Sequence, residues 1–103
     1  MAKPANLGLP LAAALDRSEP LTGLLRRLAE SKARYEAIAE LLPPGLRVDT
    51  RPGPLDETQW VLLVGHAAAA AKLRQMLPSF KQALLERGWD GPEIRIKILP
   101  RSR

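Results

Sequence analysis

Between Trp60 and Ile98 the hydrophobic pattern changes character twice, and this limits the possible folds more than any other feature of the chain. Trp60-Val61-Leu62-Leu63-Val64 is apolar at every position, as suits a central strand covered on both faces. Gly65-His66 ends it, and an Ala-rich run with Leu and Lys/Arg at helical spacing follows as far as Arg87-Gly88. Ile94-Arg95-Ile96-Lys97-Ile98 then alternates strictly, the period of a strand with one face buried. Strand, helix and strand within about 40 residues make a small α/β unit.

The preceding residues add one helix and one strand. Ser18-Glu19-Pro20 is a helix-start signal, with a capping hydroxyl, an acid at the positive end of the dipole and proline in the first turn. Leu21, Leu24, Leu25, Leu28, Ala29, Tyr35, Ile38, Ala39 and Leu42 recur at spacings of three and four. They predict an amphipathic helix of about twenty residues with these side chains inward. Arg26, Arg27, Glu30, Arg34 and Glu40 fall mostly on its other side, and Pro43-Pro44-Gly45 stops it. Leu46, Val48 and Thr50 alternate with Arg47, Asp49 and Arg51, a half-buried strand pattern. Arg51 to Glu57 holds Pro52, Gly53 and Pro54 and is expected to be a hairpin loop. The long second helix is predicted to pack through Ala69, Leu73, Met76, Leu77, Phe80 and Leu84. Pro78 inside it either kinks one helix or starts a second. The expected fold is therefore α+β, in the order helix-strand-strand-helix(-helix)-strand, with a three-stranded sheet covered by helices on one face. Residues 1–17 read as a flexible leader with one turn of helix at Leu11–Leu15, residues 18–100 as the domain, and 101–103 as a short basic tail.

Several chemistries are disfavoured by what the chain holds. It has no cysteine, which removes disulfides and thiolate metal sites. Its single histidine, His66, sits at a strand-to-helix junction with no nucleophile beside it, and is expected to be a polar residue at a helix entrance. Ser79 and Ser102 have no neighbouring base. No enzymatic activity, cofactor, metal or small-molecule substrate is therefore expected. No apolar run approaches the ~18 residues of a membrane span, and a cytoplasmic protein without a membrane partner is expected.

Charge points toward a partner instead. The net charge is +5. Residues 1–45 carry six basic and five acidic groups, whereas 46–103 carry ten and six. A field so placed favours a polyanion. Arg95 and Lys97 share one strand face, opposite Ile94, Ile96 and Ile98. Arg47 and Arg51 are expected to join them on an open sheet face. Arg74 and Lys81, seven residues apart, lie on one helical stripe. With Arg101 and Arg103 in the tail, these cations form a candidate phosphate-tracking surface. The competing reading is a solvated sheet face. Gly88-Trp89-Asp90-Gly91 matches the G-x-x-G of a phosphate clamp, but it lies between helix and strand rather than between two helices. A helix cap explains it better. Of the four aromatics only Trp89 suits a surface platform for base stacking, and a hydrophobic lid over the end of the core explains it better.

One ordered set of features carries a resemblance. A leucine-rich helix ends at Leu42-Pro43, and a hairpin has Leu62 to Val64 in its second strand. An alanine-containing helix, Ala67 to Ala71, continues into Leu73-Arg74, and a strand runs from Ile94 to Pro100. Over about residues 18–100 this resembles the DciA family of bacterial proteins that act on the replicative helicase DnaB. The resemblance implies a KH-like domain that binds single-stranded DNA and assists loading of a DnaB-type helicase without an ATPase of its own. No G-x-x-x-x-G-K-[ST] loop is present, in agreement. Two departures stand out: His66 occupies a position where a small polar residue commonly caps the helix, and the extended tail of longer members does not follow Pro100. Helicase contact then either uses the folded domain or is lost. Two other functions fit the same charge: an RNA-binding module of translation, and an adaptor that binds only proteins.

Overall fold

The apolar segment at Trp60 is the middle of the sheet. A computed structural model describes residues 19–100. Its elements are α1 (Glu19–Ala39), α2 (Pro44–Arg47), β1 (Thr50–Leu55), β2 (Gln59–Val64), α3 (Ala67–Glu86) and β3 (Glu93–Ile98). The strands lie in the order β1-β2-β3, with β1 antiparallel and β3 parallel to β2. The expected α+β class and element order are thus observed. The leader, the Ser18 cap, Arg101 and Arg103 lie outside the described residues.

Alternation sorts the strands into two faces. Trp60, Leu62 and Val64 are buried and join one cluster with Ala37, Ile38 and Leu42 and with Ala69, Leu73, Phe80 and Leu84 of α3. Ile94 and Ile96 extend it from β3. Both long helices therefore cover the same sheet face. Their seam includes a polar relay. Trp60 Nε1 donates to Ser31 Oγ (2.8 Å), and Ser31 donates on to the Gly53 carbonyl (2.7 Å). A buried indole N–H is thereby satisfied, and α1 is tied to two strands.

Two strand boundaries differ from the sequence reading. Leu46 to Asp49 is not strand: Pro44 opens the short helix α2, and Leu46 and Arg47 N–H both donate to the Pro43 carbonyl. Thr50 Oγ1 bonds back to the Leu46 carbonyl at 2.8 Å, and the strand starts there. The segment read as a hairpin loop is mostly β1 itself. An edge strand needs only one hydrogen-bonding side, so Pro52 and Pro54 are tolerated. A bulge between Pro52 and Leu55 absorbs one residue. The turn is only Asp56 to Thr58, where Asp56 Oδ1 accepts from Thr58 N, Gln59 N and Thr58 Oγ1 at 2.8–2.9 Å. These bonds, led by the one from Thr58 N–H, hold the Asp56 carboxyl below its ordinary value of 3.8.

Helix α3 is continuous, with Pro78 inside it at an exposed position. Its start is capped by His66: Nδ1 accepts from Ala69 N–H at 3.2 Å, and Nε2 lies 3.1 Å from Asp49 Oδ2. The acceptor role of Nδ1 puts the ring proton on Nε2, which donates to Asp49. At the other end Gly88 takes φ +91°, its N–H bonds Leu85 O, and Trp89 N–H bonds Leu84 O, both at 2.9 Å. This is a Schellman cap. The G-x-x-G pattern is therefore used to end a helix.

Helix α1 departs most from expectation. From Ser31 onward it packs as a core helix, but Leu21, Leu24, Leu25 and Leu28 are 37–53% exposed. At 100° per residue this leucine set is centred roughly 100° away from the buried set, so the two stripes cannot face one core. The residues placed toward the core include Arg34, only 9% exposed, which the sequence reading put outside.

Candidate nucleic-acid interface

The open face of the sheet gathers three of the expected cations. Register places Arg51, Leu63 and Lys97 in one row across all three strands, and Val61 beside Arg95 in the next. With strands ~4.8 Å apart, the Arg51 and Lys97 backbones are about 10 Å apart, and Arg95 and Lys97 about 7 Å apart. All three side chains are exposed. Among the described residues none of these side chains has a hydrogen bond or an ion pair; the cation paired with a carboxylate there is Arg34, with Glu30.

Beneath these cations the face is apolar and dense. Val61 is 2% exposed and Leu63 is half-buried. The bulged β1 backbone lies against them: a Cβ on Gly53 would sit 2.9 Å from the Val61 carbonyl and 3.1 Å from Leu63 Cγ. Glycine at 53 lets the strand approach this closely.

The remaining expected residues fall elsewhere. Arg47 is not on the sheet face, because its segment is helical. Its guanidinium donates to the Leu42 carbonyl at 3.5 Å on the helical side. There its charge opposes the burial that raises the Tyr35 hydroxyl above its usual range. Arg74 and Lys81 are exposed on α3, on the flank that carries Leu77. That flank borders β3, because Leu77, Lys81 and Leu84 line a groove with Ile94 and the turn at Trp89 to Glu93. The structure therefore separates the sheet-face cations, Arg51, Arg95 and Lys97, from the pair on the helix, with β3 between the two groups.

No aromatic ring among the described residues stands ready for base stacking. Trp60 and Phe80 are fully buried, and Tyr35 donates its hydroxyl proton to the Thr50 carbonyl at 3.0 Å. Trp89 packs against the core, and the Arg34 guanidinium lies 5.0 Å from its ring centroid, a cation–π contact. Arg34 is held there by the Glu30 carbonyl at 3.2 Å and the Glu30 carboxylate at 3.7 Å. The alternation of charges marked the sheet face in the sequence. Nothing in the periodicity marked Arg34, whose partner Trp89 is far away along the chain.

The leucine stripe of α1 is a chemically different surface. Leu24 and Leu28 line a groove of about 500 Å³ with the β1 bulge, on the opposite side of the sheet from Arg95 and Lys97. Among the described residues no group of acids and histidine could hold a metal ion, and no helix is long and apolar enough to cross a membrane. No family model matches this chain, and no curated protein matches it.

Proposed function

We propose that this protein is a non-enzymatic adaptor that binds single-stranded DNA through the open sheet face and assists a DnaB-type replicative helicase, as its resemblance to the DciA family implies. The observation that carries the reading is the convergence of Arg51, Arg95 and Lys97 on one face, unpaired among the described residues. An unpaired exposed cation is free to displace counterions from a phosphate chain. The scarcity of exposed rings makes binding electrostatic, with weak base preference. The leucine stripe, remote from these cations, supports a separate contact with protein in the same molecule.

The test is size-exclusion chromatography of the protein with the replicative helicase of its host, with and without single-stranded DNA. Co-elution that DNA strengthens is the expected result. Separate elution, with the protein still bound to DNA or to structured RNA, would remove the helicase from the reading and leave a nucleic-acid module.

A further inference from the structure

The sheet has two edges, and that of β3, unlike that of β1 with Pro52 and Pro54, contains no proline. β3 pairs with β2 alone, so one row of its N–H and C=O groups faces outward. Beside that edge lies a groove of about 420 Å³, walled by Leu77 and Leu84 of α3 and by Ile94 of β3, with Lys81 on its rim. Arg74 shares the helical stripe of Lys81, and Arg95 and Lys97 project from the other face of the strand. An apolar slot and an open strand edge thus run between two pairs of cations; Asp90 and Glu93 are the acids at one end.

We propose that this edge is a strand-addition site for an extended acidic segment of a partner protein, one whose residues alternate between carboxylates and aliphatic side chains. The main chain of the segment pairs with β3. Its carboxylates then fall beside Arg95 and Lys97, and its aliphatic residues enter the groove against Leu77 and Ile94. A second copy of β3 does not meet these requirements. Antiparallel pairing centred on Arg95, Ile96 or Lys97 sets at least one pair of like cations directly opposite, which is destabilising. The inference goes beyond the nucleic-acid reading and does not rest on it, because backbone pairing and an apolar slot have no use for phosphate. Since Arg95 and Lys97 belong to both surfaces, segment and DNA should compete.

The test is an NMR titration of the isotope-labelled full chain with a synthetic peptide of five Glu-Val repeats. Two further peptides are N-methylated at every Glu or at every Val. Saturable shifts of β3 and α3 amides are expected, with affinity reduced about tenfold or more by one methylation pattern and little changed by the other. Arg95→Glu with Lys97→Glu should invert the preference toward a Lys-Val peptide. No saturation by about 1 mM, equal response to both methylation patterns, or shifts centred on Leu24 and Leu28 would overturn the proposal. A parallel titration with a single-stranded oligonucleotide separates the two readings: DNA binding without peptide binding defeats this inference alone, and peptide binding without DNA binding defeats the other alone.

Discussion

Removing one hydroxyl should cost this domain a large share of its stability. Ser31 is 3% exposed and Trp60 is fully buried. Ser31→Ala removes the acceptor of Trp60 Nε1 (2.8 Å) and the donor to the Gly53 carbonyl (2.7 Å) in one step. The indole N–H lies in the buried core, whereas the Gly53 carbonyl borders the groove beside Leu24 and Leu28. A buried polar group left unpaired costs about 1–3 kcal/mol. The carbonyl belongs to an edge strand and can recover part of its loss from solvent, so the expected total is about 2–3 kcal/mol. For a domain of this size that is a fall in Tm of roughly 10–20 °C. Urea unfolding followed by circular dichroism measures it directly. A second variant isolates the cause: with Trp60→Phe in the background, the donor is already gone, and Ser31→Ala should then cost clearly less. A coupling of at least about 1 kcal/mol between the two sites is expected. A Ser31→Ala loss below about 0.5 kcal/mol, the range of an ordinary surface change, would refute the relay.

Three other perturbations probe local features. His66→Ala should destabilise by about 1 kcal/mol through loss of the α3 cap, while His66→Asn, which keeps an acceptor, should lose much less; thermal unfolding of both variants decides it. Gly53→Ala should cost about 1–3 kcal/mol, because the added Cβ lands 2.9 Å from a backbone oxygen; a neutral result in urea unfolding would mean that β1 moves away freely. Asp56 has a folded-state value below the ordinary 3.8, so its contribution is present above that value and is lost as pH falls through the lower folded one. Asp56→Asn should therefore flatten the acid limb of the stability profile below about pH 5, and an unchanged limb would contradict the turn assigned here.

The sheet was legible because its signals are local. Five apolar residues at Trp60 to Val64 and the alternation after Ile94 need no knowledge of the rest of the chain. The same holds for Leu73, Phe80 and Leu84, whose spacing matches one helical face. The failures come from competition between levels. Leu46, Val48 and Thr50 alternate like a strand, but Pro43-Pro44 fixes a helical turn first, which removes Arg47 from the sheet face. Pro52 and Pro54 argue against a strand only if it is central, and position within a sheet is not written in the segment itself. The leucines of α1 keep perfect amphipathic spacing, yet nothing in the described domain extends far enough to cover them. Of the candidate site, Arg51, Arg95 and Lys97 were recoverable from alternation. The closeness of Arg74 and Lys81 to the β3 edge required the path of the crossover.

Whether the sheet face holds phosphates is decided by the salt dependence of single-stranded DNA binding, measured by fluorescence anisotropy for the native chain and for Arg95→Ala with Lys97→Ala. Each phosphate contact on a single strand contributes about 0.7 to the slope of log K against log salt, so losing two should reduce it by about 1.4. That reduction is expected together with weaker binding at every salt concentration. An unchanged slope in a folded double variant, or no binding by the native chain at low salt, would contradict phosphate binding by this face.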